Sequence, residues 1–324
     1  MDFRLVELEQ WLGAQFPSLP RTLAPASADA SFRRYWRVRV ADGRSYIAMD
    51  APPGKEDCRP FLHVAGVFAA AGVHVPAIHA QDLERGFLLL EDLGETTFLD
   101  FVGGHDPGAA YSAATDALIR IQLASQPGIL PEFDRALLER ELALFPDWYL
   151  ARELGKQLAP ADARVLRTAF DALLANNLAQ PQVYVHRDYH SRNLMMSEPL
   201  PGILDFQDAL YGPVTYDLVS LLRDAYVQWE EAQVLDWAIR YWEKARRAGL
   251  PVRADFTEFY RDFEWMGAQR QLKVAGIFAR LCHRDGKSGY LADIPRVLGY
   301  LLATCRRYVE LTPLARLLDT LAVK

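Results

Sequence analysis

The chain has 324 residues, of which 51% are hydrophobic and 24% are charged. This is the balance of a globular protein with room for one large or two medium domains. The formal net charge of −6 argues against a protein that binds a nucleic-acid backbone. No stretch approaches about 18 uninterrupted apolar residues, and no basic region followed by an apolar core opens the chain, so we expect neither a membrane span nor a targeting segment. The three cysteines lack paired or metal-like spacing, which predicts free thiols in a cytoplasmic protein.

Residues 1–93 are predicted to form a small β-rich domain. An apolar stripe of helical period opens the chain, and alternating residues on either side of the turn Asp42-Gly43 indicate a hairpin. The predicted elements are a helix over 2–13, a Pro/Ala-rich connector to Pro25, hairpin strands over 32–40 and 45–49, a helix over 61–72, and short strands at 75–76 and 86–90.

Residues 94–324 are predicted to form a larger and mostly helical domain. Segments with helical periodicity dominate this region and are interrupted by one strand pair around 183–206. The predicted helices cover residues 108–124, 134–155, 160–178, 216–248, 255–283 and 293–319. A β-rich lobe followed by a helical lobe predicts an α+β fold with a ligand cleft between the two domains.

Residues 186–193 carry an H-R-D-x-x-x-x-N pattern, and Asp205 follows twelve residues after Asn193. Each part comes directly after a predicted strand. The spacing is typical of an ATP-dependent phosphoryl transferase, in which Asp188 meets the acceptor hydroxyl while Asn193 and Asp205 hold Mg²⁺ on the nucleotide phosphates. The alternatives are that Asp188 only caps its loop and that Asn193 is an ordinary turn residue.

Two neighbours of this motif are interpreted as supports. His186 is expected to hold the loop through backbone hydrogen bonds. Asp217 is expected to anchor the loop from the next helix, although it also suits a plain carboxylate near a helix N-terminus. The run from Asp205 to the helix near Tyr216 is too short to contain a platform for a peptide. The acceptor is therefore predicted to be a small molecule.

These motifs resemble the aminoglycoside phosphotransferase/choline kinase family of the protein-kinase-like fold. Four segments are similar, more specifically, to the bacterial kinases that act on the anomeric hydroxyl of N-acetylmuramate and N-acetylglucosamine. They are Ala30–Tyr35, Met49–Pro53, Asp205–Ala209 and Arg284–Lys287. The resemblance implies transfer of phosphate from ATP, with Mg²⁺, to the C1 hydroxyl of an amino sugar during recycling of cell-wall sugars.

The nucleotide half departs from the family pattern. The phosphate-binding Lys of the family is expected on the return strand, where this chain has residues 47–49 without a Lys, and the helix over 61–72 lacks the partner Glu. Arg33, Arg34 and Lys55 are the nearest candidate replacements, although the two arginines also suit an exposed strand. Ser31 is the candidate phosphate-loop residue in the absence of a G-x-G-x-x-G motif. Adenine is expected to meet the backbone at Glu91 and Leu93, where the two domains join.

The acceptor site is expected between the catalytic loop and the C-terminal helices. Gln207 and Asp208 are candidates for binding sugar hydroxyls or the acetamido group. Arg270 and Arg284 belong to a basic run that suits the lactyl carboxylate of N-acetylmuramate. A solvated helix face would explain the same run.

The sequence thus predicts a small-molecule kinase, expected to be a monomer, whose acceptor is an amino sugar. Two alternatives remain open at this point. One is another kinase of the same family, acting on an aminoglycoside, choline or homoserine. The other is a nucleotide-binding pseudokinase that serves as a scaffold, which the missing Lys and Glu would permit but which the retained Asp188, Asn193 and Asp205 argue against.

Overall fold

The structure, a computed structural model, describes residues 2–28 and 32–321, so that Ser31, the predicted phosphate-loop residue, lies outside the described residues. The chain divides into two compact units. The first comprises residues 1–96 and 195–208, and the second comprises residues 97–194 and 209–324. The segment that carries Asp205 therefore falls in the first unit, whereas the sequence-based division placed the whole of 94–324 in the second domain.

The elements follow one another along the chain. They are α1 (Phe3–Gln15), β1 (Arg21–Ala28), β2 (Arg34–Val40), β3 (Ser45–Asp50), α2 (Arg59–Ala70), β4 (Ile78–Asp82), β5 (Phe87–Glu91), α3 (Phe98–Val102), α4 (Gly108–Leu123), α5 (Arg135–Leu144), a π-helical segment (Phe145–Glu153), α6 (Pro160–Leu178), β6 (Gln182–Val185), β7 (Leu194–Met195), β8 (Gly202–Ile203), β9 (Leu210–Pro213), α7 (Tyr216–Leu222), α8 (Glu231–Arg247), α9 (Phe256–Asp285), a 3₁₀ segment (Ser288–Asp293), α10 (Ile294–Arg307), a 3₁₀ turn (Val309–Leu311) and α11 (Thr312–Thr320).

The first unit is built on an antiparallel sheet with the strand order β1-β2-β3-β5-β4. Helix α1 begins at the cap Asp2, whose side chain accepts a hydrogen bond from the backbone N–H of Leu5 at 3.2 Å. Its buried residues Leu8, Trp11 and Leu12 pack in one core with side chains of β2, β3 and β5. The amphipathic stripe of the sequence thus covers one face of the sheet.

Several predicted elements of this unit are confirmed, and two are wrong. Helices α1 and α2 and the hairpin β2–β3 lie where the pattern placed them, with Gly43 at φ 91° in the turn. The connector to Pro25 is instead strand β1, which pairs with β2 at the edge of the sheet. An edge strand tolerates proline because the missing N–H is not needed for a second partner. The strand predicted at 75–76 begins only at Ile78.

The second unit is organised around α9, a helix of 30 residues that contacts α5, α6, α7, α8 and α10. Asp255 caps its start by accepting hydrogen bonds from the N–H groups of Thr257 and Glu258. Gly286, with φ 69°, ends it in the left-handed conformation that favours glycine. Polar residues lie among the buried side chains of its middle part, including Gln269, Arg270 and Lys273.

Three long predicted helices of the second unit are interrupted in the structure. The segment 134–155 becomes α5 followed by π-helical residues, with Pro146 near the junction. The segment 216–248 divides into α7 and α8. The segment 293–319 divides near Tyr308, and α11 restarts with Pro313 in its first turn. Helix α3 and strand β9 had no sequence signal strong enough to predict.

No helix within residues 2–28 and 32–321 has both the length and the apolar character that a bilayer crossing requires.

Candidate active site

The catalytic loop of the second unit occupies residues 186–193, between β6 and β7. Its residue Arg187 has φ 79°. This left-handed backbone conformation costs energy for a residue other than glycine and persists where the surrounding structure holds it. The buried carboxylate of Asp217 on α7 accepts hydrogen bonds from the backbone N–H of His186 at 2.6 Å and of Arg187 at 3.0 Å. The interpretation of Asp217 as the anchor of the loop is confirmed.

A second buried carboxylate holds the other end of the loop. Asp224 follows α7, and its Oδ2 accepts the backbone N–H of Ser191 at 2.9 Å while its Oδ1 accepts that of Tyr226 at 2.8 Å. The sequence reasoning missed Asp224, because the helical pattern seemed to continue through it. The local sequence contained no clear signal, because Asp224 follows Arg223 and resembles an ordinary charged residue of a helix.

Asp188 is surrounded by positive charge. Burial by itself would raise the pKa of its carboxyl group, but the charges of Lys273, His190, Arg270 and Arg187 together lower the pKa to about 2. Asp188 is therefore an anion at neutral pH. A carboxylate of this kind accepts a hydrogen bond from an acceptor hydroxyl and takes its proton only late, when transfer is nearly complete.

The positive charges behind the loop belong to a buried ionic network. Glu141 on α5 accepts a hydrogen bond from Nη2 of Arg187 at 2.9 Å and lies 3.0 Å from Nζ of Lys273. Gln269 donates to the same carboxylate at 3.1 Å. The charges of Lys273 and Arg187 keep the pKa of Glu141 below its usual value although burial alone would raise it. These contacts hold the side chain of Arg187, whose backbone is strained, in one position.

Arg270 belongs to the same support. Its Nη1 donates to the backbone oxygen of Arg187 at 2.9 Å and its Nη2 to Oγ of Ser220 at 2.7 Å, and its guanidinium lies over the ring of Tyr216. The structure thus brings Arg270 to the catalytic loop, as a buried side chain with protein partners. A role for Arg270 in binding the acceptor stays a prediction.

Asn193 ends the loop. Its Nδ2 donates to the backbone oxygen of Asp188 at 2.9 Å, and its backbone N–H donates to His190 at 2.9 Å. The first of these bonds determines which end of the amide is the donor. The other end is an oxygen, the ligand type that Mg²⁺ prefers.

Asp205 follows β8 in the first unit and has φ 60°. Its Oδ1 accepts a hydrogen bond from Nε2 of Gln207 at 2.8 Å. Phe206 is buried against Phe61 of α2, with ring centroids 4.8 Å apart. The buried ring of Phe206 thus holds the backbone beside Asp205 in place, and a role for Asp205 in binding a metal stays a prediction. Its carboxylate is chemically suited to a hard divalent cation.

Gln207 and Asp208, the predicted acceptor-binding pair, differ in environment. The Oε1 atom of Gln207 is buried and has no hydrogen-bond partner within the described parts of the chain, whereas Asp208 is exposed. Arg284, the other predicted acceptor residue, is an exposed side chain of the second unit that pairs with Asp285 at 2.7 Å. The roles of these three residues in binding an acceptor stay predictions.

Both candidate phosphate-binding arginines lie beside carboxylates. Nη2 of Arg34 is 2.6 Å from the fully buried carboxylate of Asp50, and Arg34 also pairs with Asp2. The hydrogen bond to Asp2 is the main cause of the raised pKa of Arg34. Arg33 lies 4.0 Å from Glu56. A role for either arginine on phosphate stays a prediction.

The residues predicted to lie near adenine have structural contacts of their own. Oε2 of Glu91 accepts the backbone N–H of Ala77 at 3.1 Å. Leu93 is buried and packs so closely on Gly202 that a Cβ there would lie 2.9 Å from its Cδ1. Gly202 therefore lets the β8 segment approach Leu93. Adenine binding at Glu91 and Leu93 stays a prediction.

Comparison with known proteins decides the family. Residues 22–256 match the family model described as the phosphotransferase enzyme family, which is well over half of the chain. The chain belongs to the phosphotransferase enzyme family.

Two curated relatives of this phosphotransferase are similar over almost its whole length. The N-acetylmuramate/N-acetylglucosamine kinase of Pseudomonas aeruginosa is 52% identical over 330 residues, covering 99% of this chain and 97% of the relative. The protein of the same name from Neisseria meningitidis serogroup B is 52% identical over 319 residues, covering 97% of this chain and 95% of the relative.

Solved structures of other kinases share the fold of this chain. Choline kinase LicA from Streptococcus pneumoniae has a TM-score of 0.64 at 11% identity, covering 92% of this chain and 99% of that one. The ADP-bound aminoglycoside phosphotransferase APH(2'')-Ib has a TM-score of 0.59 at 12% identity, covering 93% and 98%. At these identities the likeness shows the fold alone, and it confirms the predicted α+β, kinase-like fold.

The Lys and Glu that the family resemblance led us to expect are missing from β3 and α2. Strand β3 carries the buried residues Ala48 and Met49 where the family pattern has its phosphate-binding Lys, and α2 contains no carboxylate to pair with one. A Lys without a partner in this position would be costly to bury. The absence of the Lys from β3 and of a carboxylate from α2 is therefore physically consistent.

Proposed function

We propose that this phosphotransferase transfers the γ-phosphoryl group of ATP to the anomeric C1 hydroxyl of N-acetylmuramate or N-acetylglucosamine. The observation that carries the proposal is the 52% identity, over nearly the full length, to the kinases of Pseudomonas aeruginosa and Neisseria meningitidis that are named for these two sugars. The catalytic loop supports it, because Asp188 is held as an anion on a rigidly anchored backbone. The products are ADP and the sugar 1-phosphate.

In the proposed reaction Asp188 orients the acceptor. Its carboxylate accepts a hydrogen bond from the C1 hydroxyl and directs the oxygen lone pair toward the phosphorus. As the new O–P bond forms and the bond to the leaving ADP oxygen breaks, the hydroxyl proton passes to Asp188. A sugar C1 hydroxyl is more acidic than an ordinary alcohol, so a carboxylate of low pKa suffices.

Asn193 and Asp205 are the proposed ligands of Mg²⁺. Both offer oxygen atoms, both belong to the family motif, and neighbouring groups of the chain orient both side chains. Bound Mg²⁺ would neutralise negative charge on the nucleotide phosphates. Arg33 and Arg34 are the proposed cations on the phosphates, and the backbone around Glu91 and Leu93 is the proposed adenine contact.

We further propose a cytoplasmic, monomeric enzyme in the recycling of cell-wall amino sugars. The use of ATP supports the compartment, and the two amino sugars named for the relatives are constituents of peptidoglycan. Gel filtration with light scattering would test the oligomeric state, because a dimer would elute with twice the 36.6 kDa mass of the chain.

A substrate panel tests the function. ADP release should be measured with N-acetylmuramate, N-acetylglucosamine, free hexoses, kanamycin and choline, with phosphorus NMR to place the phosphate on C1. Turnover of the two amino sugars alone supports the proposal. Turnover of kanamycin or choline instead would assign the chain to another acceptor class, and ATP binding without any turnover would favour a scaffold.

A further inference from the structure

The catalytic loop carries a cation that the proposed chemistry leaves unused. Arg192 is exposed and precedes Asn193 in the loop. Its guanidinium carbon lies 3.9 Å from the ring centroid of Tyr226 and 5.8 Å from that of Tyr290. Among the residues that the structure describes, the guanidinium makes these ring contacts but no hydrogen bond or ion pair. Its N–H donors are thus available to a ligand.

The aromatic side chains beside Arg192 form a fixed wall. The backbone N–H of Tyr226 is held by the buried carboxylate of Asp224. Phe278 of α9 packs between the two tyrosines, with ring centroids 6.0 Å from Tyr226 and 5.2 Å from Tyr290. A guanidinium stacked on such a wall keeps its edge of donors in one orientation, which favours bidentate binding of a carboxylate.

A second observation points to a polar ligand at the same wall. The ring of His190 meets that of Tyr226 edge to face, with centroids 5.4 Å apart. Its Nδ1 atom is buried and lacks a hydrogen-bond partner in the described parts of the chain. The backbone N–H of His190 donates to the backbone oxygen of Asp188 at 3.1 Å, so His190 lies in the same turn of the loop as the catalytic residue. A buried polar atom without a partner is costly unless a ligand supplies one.

The two arginines predicted from the sequence are less suited to an acceptor carboxylate. Arg270 is buried and uses both terminal nitrogens on the protein. Arg284 is held by the carboxylate of its neighbour Asp285, with N–O distances of 2.7 and 2.9 Å. A substrate carboxylate at Arg284 would have to displace this partner, whereas no carboxylate of the described residues is hydrogen-bonded to Arg192.

We propose that Arg192, stacked on Tyr226 and Tyr290, binds the lactyl carboxylate of N-acetylmuramate and thereby sets the preference of the enzyme between its two sugars. The proposal rests on the proposed function. N-Acetylglucosamine lacks the lactyl group and serves as an internal reference, because a change that damages the catalytic loop lowers turnover of both sugars equally.

The decisive experiment is Arg192→Met, which retains the length and apolar stem of the side chain but not its charge. We expect kcat/KM for N-acetylmuramate to fall by about ten- to a hundredfold, the range for loss of a hydrogen-bonded ion pair, with the value for N-acetylglucosamine changing by less than about twofold. The loss should appear mainly in KM. The methyl ester of N-acetylmuramate should react with the wild type and with Arg192→Met at similar rates, because the ester group carries no negative charge for Arg192 to bind.

Two further variants define the mechanism. Tyr226→Phe should retain the preference, because the ring remains, whereas Tyr226→Leu should lower kcat/KM for N-acetylmuramate selectively. Arg240→Gln is the matched control, since Arg240 is an exposed arginine of α8 whose one ion pair within residues 2–28 and 32–321 is with Asp236, four residues earlier. It should leave both sugars unchanged.

Results that contradict the proposal would each point to a specific alternative. Equal losses on both sugars, or a rise in KM for ATP with both, would overturn the proposal and place Arg192 in loop integrity or on the nucleotide phosphates. A selective loss in Arg284→Gln but not in Arg192→Met would assign the carboxylate to Arg284. Wild-type enzyme that turns over neither sugar would overturn the proposed function itself.

Discussion

The ammonium of Lys273 lies 3.0 Å from Oε1 of Glu141, and both side chains are buried. Since Glu141 also binds the half-buried Arg187 at 2.9 Å, one carboxylate pairs with two cations. Removing it would take from both cations their hydrogen-bonded carboxylate, and an undercompensated buried charge is strongly destabilising.

We therefore expect Glu141→Gln to lower the free energy of unfolding by about 3 kcal/mol or more. Urea denaturation at pH 7 measures the change. The matched control is Glu139→Gln on the same helix, because Glu139 forms an exposed ion pair with Arg135 and exposed pairs contribute about 0–1 kcal/mol. Equal effects of the two substitutions would contradict the importance of the network.

The pH dependence of stability should carry the signature of Asp217. Burial raises its folded-state pKa to about 7 from an ordinary value of 3.8, although two backbone N–H groups and Arg270 oppose the shift. The folded state then binds more protons than the unfolded state in this window. The contribution of Asp217 to stability is full below about pH 4 and is lost as the pH rises through about 7.

Asp217→Asn lacks this titration. It should destabilise the protein, because Asn has one side-chain oxygen for the two loop N–H groups. The wild type and Asp217→Asn should differ less in free energy of unfolding at pH 8 than at pH 5, by roughly a few kcal/mol. The reason is that only the wild type loses the stabilisation from the protonated Asp217 as the pH rises. Urea unfolding at several pH values measures it. A difference that is constant with pH, or that grows, would show that Asp217 has no raised pKa.

Features of the fold that depend on local sequence could be predicted, and those that depend on distant partners could not. The helical stripe around Trp11 and the hairpin at Gly43 are local patterns, and the structure confirms both elements. The anchors Asp224 and Glu141 could not be predicted, because their partners lie 33 and 46 residues away in the chain. Strand β1 was not predicted, because Pro25 argues against a strand. The pairing of an edge strand is set by the neighbouring strand more than by the sequence of the edge strand.

The candidate site was also only partly predictable from the sequence. The spacing from Asp188 to Asn193 was readable because catalytic loops have a fixed length, and their short hydrogen bonds enforce it. The sequence did not show which arginine is available to a substrate, because availability depends on the hydrogen bonds and ion pairs that each arginine makes in the folded protein. The structure gives Arg270 and Arg284 protein partners and stacks Arg192 on an aromatic wall.

Asp188→Asn separates chemistry from binding. Asn retains the shape of the side chain but cannot take the hydroxyl proton, so we expect kcat to fall by about a hundredfold or more. ATP affinity, measured by calorimetry, should stay within about threefold because Asp188 faces the acceptor in the proposed reaction. Asp171→Asn, on the exposed side of α6, is the control for a neutralised carboxylate. Activity retained in Asp188→Asn would mean that another group takes the proton.

Removal of the metal should stop turnover and leave the sugar site intact. We expect EDTA to abolish ADP release and Mg²⁺ to restore it, because oxygen ligands such as those of Asn193 and Asp205 suit this ion. Asp205→Asn should raise the Mg²⁺ concentration needed for half-maximal rate by about tenfold or more, since one negative ligand is lost. Asp57→Asn, an exposed carboxylate of the same unit that pairs with Arg59, should leave the requirement unchanged. Equal Mg²⁺ requirements in Asp205→Asn and wild type would remove Asp205 from the metal site and leave Asn193 in need of another acidic partner.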